Sequence, residues 1–120
     1  MGFYTQIHDV NAPKSAKYGD RVFISFWVKN TYPDSVWLAT TLYANGVLQV
    51  TSPDEYFAAP GQDVYFECAL TMPDVSSLEV QIDSYYWTGE WVDDDRVYLT
   101  IARTMNPQIS GFKISDFNKV

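Results

Sequence analysis

Apolar and polar positions alternate with a period of two through most of this chain, most clearly from Arg21 to Asn30. Val22, Ile24, Phe26 and Val28 fall on one side of an extended backbone, and Arg21, Phe23, Ser25, Trp27 and Lys29 on the other. The first row is committed to a core, whereas the second mixes charge with aromatic rings. The same alternation predicts a strand over Val36 to Ala44, with Val36, Leu38, Thr40 and Leu42 inward. It predicts another from Asp63 to Met72, with Val64, Phe66, Cys68 and Leu70 inward. Leu78, Val80 and Ile82 resume the pattern and run on into Tyr85, Tyr86 and Trp87, and Val97, Leu99 and Ile101 make the last inward row.

Turn signals punctuate these runs. Gly19-Asp20 opens the first strand, Tyr32-Pro33-Asp34-Ser35 bends the chain after it, and Pro60-Gly61 and Pro73-Asp74 bracket the third. Asn45-Gly46 is the strongest signal, because both residues accept positive φ in a tight hairpin; Val47 to Thr51 is expected to fold back antiparallel. Ser52 to Ala59 reads as an irregular connection, and Thr88 to Asp95 as a loop carrying Gly89 and four acids. Phe3 to Val10 is a short, mixed strand ending at Asn11-Ala12-Pro13. No segment shows an apolar stripe at helical spacing, so short strands at regular intervals predict an all-β sandwich or barrel.

Composition narrows what such a fold can do. At 120 residues, 47% hydrophobic and 17% aromatic, the chain is one domain with ample material for a core. A formal charge of −7 argues against nucleic acid and against an anionic membrane surface, both of which call for clustered Lys and Arg. No run approaches the length of a membrane helix, and no basic-then-apolar secretion signal opens the chain. Compartment stays open; an extracellular surface or a virion is the expected setting. Cys68 is the only cysteine, and its phase makes it a buried small hydrophobe rather than a nucleophile.

Four stretches carry a family resemblance. They are Tyr18-Gly19-Asp20-Arg21-Val22-Phe23-Ile24 leading to Val28-Lys29-Asn30, then Leu42-Tyr43-Ala44-Asn45-Gly46, Ala59-Pro60-Gly61-Gln62-Asp63-Val64, and Val80-Gln81-Ile82-Asp83. Over roughly residues 4 to 102 their order resembles the bacterial and archaeal cell-adhesion-related (CARDB-type) modules, close to fibronectin type III. The resemblance implies an antiparallel Ig-like β-sandwich of seven or eight strands over residues 1–104. Such modules often end in an acidic turn followed by paired asparagines. Here Asp93-Asp94-Asp95-Arg96 stands in that place, so nothing the asparagines do carries over.

The two ends echo each other. Ile7-His8-Asp9-Val10-Asn11 and Ile114-Ser115-Asp116-Phe117-Asn118 share the pattern Ile-x-Asp-apolar-Asn, 107 positions apart, close to the roughly 100 residues of one Ig-like domain. Residues 105–120 are therefore an arm with three open fates: packed on its own domain, the first strand of a following module, or a strand lent to a neighbouring subunit. Ile109, Phe112, Ile114 and Phe117 are the arm residues that need a partner.

Catalytic constellations are missing. His8 is the only histidine and would have to meet Cys68 or a serine across the fold; no phosphate loop or zinc spacing is present. A non-enzyme is expected, assembling with other protein subunits or with itself as a virion, filament or surface-adhesion component. The alternative is a carbohydrate-binding module. Tyr85, Trp87 and Trp91 beside carboxylates suit a sugar, although a protein contact at the same rings is favoured over it, since Tyr and Trp are preferred interface anchors. No cofactor is expected; Asp83, Asp93, Asp94 and Asp95 are a weak calcium candidate, since adjacent carboxylates repel and a dication would relieve them.

Overall fold

The structure, a computed structural model, describes residues 2–104. The arm residues Ile109, Phe112, Ile114 and Phe117 lie outside the described residues. Among the described residues nine strand segments follow one another: β1 (Thr5–Asn11), β2 (Ser15–Ala16), β3 (Arg21–Asn30), β4 (Val36–Ala44), β5 (Val47–Gln49), β6 (Glu55–Ala58), β7 (Asp63–Thr71), β8 (Ser77–Trp87) and β9 (Trp91–Arg103). They form two stacked sheets, a smaller one in the order β1-β3-β7 and a larger one in the order β2-β9-β8-β4-β5, with β6 paired to β4. This is an antiparallel β-sandwich. Among the described residues its one parallel contact is the two-residue β2 against the end of β9.

The alternating rows become the core. Val22, Ile24, Phe26 and Val28 of β3 face Leu38 and Leu42 of β4 and Val80 and Ile82 of β8 across the interior, all at most 1% exposed. Phe26 and Phe66 pair across β3 and β7 with near-parallel rings at 5.8 Å. Val97 and Leu99 are partly buried against that core, and Ile101 is fully inside it. The Asn45-Gly46 hairpin forms as expected, with φ of 49° and 78° at its two central residues.

Two expectations need correction. Within Ser52 to Ala59, expected to be irregular, lies β6, whose Phe57 and Ala58 register against Trp37 and Val36 of β4. The acidic loop is also mostly strand: only Thr88 to Glu90 turn, and β9 begins at Trp91, opposite Trp87. Aspartate is depleted in strands, which is why the run reads as a loop. It is accommodated by a bulge. The register passes from Asp83↔Arg96 to Tyr85↔Asp93, so Asp94 and Asp95 together oppose the single residue Ser84.

Candidate functional site

The bulge sorts the acids. Asp94 and Asp95 turn toward β1. Asp94 accepts hydrogen bonds from the backbone N–H groups of Phe3 (2.7 Å), Tyr4 (3.1 Å) and Thr5 (2.8 Å), and from the Thr5 hydroxyl. Asp95, 6% exposed, accepts the Ile7 N–H at 2.8 Å, while its own N–H donates to Ser84 Oγ. Thr5 Oγ1 and Ser84 Oγ lie 2.6 Å apart and close the seam. Carboxylates thus stand where another strand would pair with the free edge of β1. A calcium set built from four acids would need all of them together. Asp94 and Asp95 are instead on the inner side of β9, and Asp83 and Asp93 on the outer.

Asp83 points outward from β8 yet is only 2% exposed, because Arg96 of β9 lies over it. Arg96 Nε donates to Asp83 Oδ1 and Nη2 to Asp83 Oδ2, both at 2.8 Å, and Nη2 also reaches Asp93 at 3.2 Å. Burial is the largest single influence on the Asp83 pKa and would raise it, but hydrogen bonds with Arg96, Asp93 and Gln81, together with the Arg96 charge, outweigh it jointly and hold the carboxyl below the ordinary range. Asp93 is pushed up, by burial first and then by the neighbouring Asp83 carboxylate. Gln81 Nε2 donates to Asp83 Oδ1 at 3.1 Å and fixes a third side chain in the cluster. Around it lies a shallow depression of about 460 Å³, rimmed by Tyr43, Tyr85 and Tyr98 and including Glu79.

Next to the depression, on the same outer face, runs a band of rings. Trp87 and Trp91 pair edge-to-face at 5.2 Å across β8 and β9. Trp37 and Phe57 pair at 5.2 Å across β4 and β6. Leu38 opposes Tyr86 and Ala39 opposes Tyr85, so one step further the β4–β8 register brings Trp37 level with Trp87. Four strands therefore contribute four rings in one row, spanning about 14 Å at ordinary strand spacing. Each ring residue is 40–53% exposed. Of the three binding residues expected from the sequence, Trp87 and Trp91 sit in this row, and Tyr85 stands behind them, its hydroxyl accepting from Thr41 Oγ1 at 3.3 Å. Trp37 and Phe57 were missed as members. Their 20-residue separation carries no periodic signal, and the strand that brings Phe57 in was itself unread.

The row is held from beneath by Asn30, which is fully buried. Its Nδ2 donates to the carbonyls of Asp34, Ala58 and Ala59, and its Oδ1 accepts the Tyr32 N–H at 2.8 Å. The segment entering β4 and the end of β6 are thereby tied to one side chain, which sets Trp37 against Phe57.

The other chemical candidates are placed apart. His8 lies on the outer face of the smaller sheet, with Nε2 2.7 Å from Asp63 and Nδ1 3.0 Å from Asp9; the Asp63 contact is the main reason its pKa is raised. Cys68 points into the core, where burial pushes the thiol up. The two occupy opposite faces of one sheet. Among the described residues, no group of three or more His, Cys, Asp or Glu side chains could hold a metal ion, and no helix is long and apolar enough to cross a membrane.

No protein-family model matches the sequence, and no curated protein matches it. Solved structures do match in fold. A CARDB domain from Pyrococcus furiosus, solved in complex with di-metal ions, aligns with a TM-score of 0.67 at 10% identity over 86% of this chain and 96% of its own. A cupredoxin domain from Nitrosocaldus yellowstonii gives 0.64 at 10% identity over 97% and 95%. A FixG-related protein from Vibrio parahaemolyticus gives 0.62 at 10% identity over 86% and 99%. The Ig-like sandwich and the likeness to CARDB modules read from the sequence hold at the level of the fold.

Proposed function

We propose that this chain is a non-catalytic interaction module that meets its partner with the outer face of its larger sheet. The observation that carries this is the row Phe57–Trp37–Trp87–Trp91. A monomeric domain rarely leaves two pairs of large rings level with each other and half-exposed on one sheet face unless something covers them. The rings are rigidly mounted, so little conformational entropy is lost when they are covered. Edge pairing has less to offer. The Thr5 and Ile7 amides of β1 are occupied by Asp94 and Asp95, and β7 is bridged at Glu67 by Ser52.

The test is to probe arrays of immobilised proteins and glycans with the full chain and with Trp37→Ala/Trp91→Ala. Ligands retained by the wild type are expected to be lost by the double variant and kept by Phe23→Ser, which changes the opposite face. Retention by the double variant would overturn the proposal.

A second reading, assembly with protein subunits, is favoured by the smaller sheet. Its outer face exposes Phe23 (68%), Trp27 and Tyr65, beside a groove of about 600 Å³ that reaches Val50. Ile109, Phe112, Ile114 and Phe117 are the arm residues that would serve such an assembly. Sedimentation of the full chain against a chain ending at Thr104 tests it: the full chain associates and the shortened one remains a folded monomer. An unfolded shortened chain would make the arm part of its own domain and sink this second reading.

A further inference from the structure

We infer that the outer face of the larger sheet takes a neutral saccharide, seated on the Trp87–Trp91 pair with its hydroxyl groups directed into the depression over Asp83. This rests on the reading that the face is the working surface, and it adds what the face holds. Three observations carry it.

The first is the chemistry of the depression. Nearly every side chain that reaches it ends in a hydroxyl, amide, carboxylate or guanidinium group; the one aliphatic residue among them, Val80, is 1% exposed and offers nothing. The ring faces of Tyr43, Tyr85 and Tyr98 stand among these polar groups, so a sugar would find apolar surface for its C–H bonds and donors and acceptors for its hydroxyl groups.

The second is charge. Among the described residues Arg96 is the only cation lining the depression, and its guanidinium is engaged by both oxygens of Asp83 and by Asp93. Glu79 and Asp93 leave the surroundings negative, on a chain whose formal charge is −7. A uronic acid, sialic acid or sulfated sugar would meet like charge with no free cation to hold it. An anionic saccharide is therefore excluded.

The third is placement. Tyr85 and Trp87 on β8, and Trp91 and Asp93 on β9, are each two residues apart and so share one face; the register sets Trp87 opposite Trp91 and Tyr85 opposite Asp93. Ring faces and carboxylate oxygens are contiguous, which a sugar needs, because it presents C–H bonds on one side and hydroxyl groups around its edge. Gln81 is pinned to Asp83 and Tyr85 is bonded to Thr41, so these groups are set before a ligand arrives.

The experiment uses the full chain and soluble hexasaccharides, followed by titration calorimetry. Neutral glucose, mannose, xylose and N-acetylglucosamine oligomers are compared with heparin and polygalacturonate. Binding to at least one neutral oligomer and to neither polyanion is expected. Trp91→Ala should weaken that binding about tenfold or more, equivalent to one buried contact of about 1.4 kcal/mol. Asp93→Asn and Gln81→Ala should weaken it a few-fold, with the thermal midpoint unchanged, while Tyr18→Ser, at an exposed turn residue, leaves it as it was. Binding to polyanions alone, or to no oligomer, overturns the inference. If proteins are then captured through Trp37 and Trp91, the interaction reading survives without it. Sugar binding that ignores Trp91, Asp93 and Gln81 together overturns the site itself.

Discussion

Asp94 and Asp95 on the inner side of β9, and Asp83 and Asp93 on the outer face, are the same functional group serving two purposes. The inner pair accepts the edge amides of β1 and joins the two sheets at their seam. The outer pair clasps Arg96 and floors a depression open to solvent. A single bulge opposite Ser84 separates them, although Asp93 and Asp94 are consecutive. Side-chain chemistry therefore does not assign a carboxylate to fold or to surface; the register of the strand carrying it does. The inner pair is expected to govern stability and the exposed Asp93 recognition, with the buried Asp83 bracing the arginine between them.

Breaking the inner pair gives the largest expected effect. Asp94→Asn places an amide donor among backbone donors, and Asp95→Asn does the same at Ile7. Each is expected to cost about 3 kcal/mol, the scale for leaving buried donors unpaired, read as a lowered midpoint in urea unfolding.

The outer pair gives a smaller effect with a characteristic pH dependence. Asp83→Asn removes a buried charge-assisted contact worth about 2 kcal/mol at neutral pH. Because the folded pKa of Asp83 is depressed, its contribution is present above the unfolded value of 3.8 and lost as pH falls through the depressed one. The gap between wild type and Asp83→Asn should close in that acid window. A gap that persists well below it would mean that the variant fails for a different reason.

Smaller still is the His8 contact on the opposite sheet. Its folded pKa is raised, so its contribution is complete below 6.5 and fades as pH rises through the raised value. Solvent screening at this partly exposed pair limits it to about 0.5 kcal/mol. Wild type should lose that much relative to His8→Ala as the pH is taken from below 6.5 to above the raised value. Millimolar calcium is expected to leave the thermal midpoint where it is, because Arg96 already neutralises the outer acids and amides engage the inner ones. A rise of several degrees would mean that the four aspartates can be drawn together.

Most of the scaffold was legible because burial imposes a period of two wherever one face of a strand is covered. The rows Val22 to Val28, Leu38 and Leu42, Val64 to Leu70, and Val80 and Ile82 all face inward as read, and Asn45-Gly46 fixed its own hairpin. What escaped was set by partners distant in sequence. β6 is a strand because Phe57 meets Trp37, not because Glu55 to Ala58 alternates. The acidic run is a strand because the bulge lets three aspartates satisfy amides and an arginine that no local pattern reveals. Trp87 and Trp91 could be picked out as neighbours across a turn, but the row they belong to could not.

The most direct measurement compares Asp93→Asn with Asp94→Asn, adjacent residues given the same substitution, by thermal unfolding and by binding to whichever neutral oligosaccharide the wild type retains. Asp93→Asn should keep the wild-type midpoint and bind several-fold more weakly, whereas Asp94→Asn should melt many degrees lower yet bind normally while folded. If the two variants change alike in both readouts, or exchange these roles, the division of the acidic strand into a structural side and a recognition side is wrong.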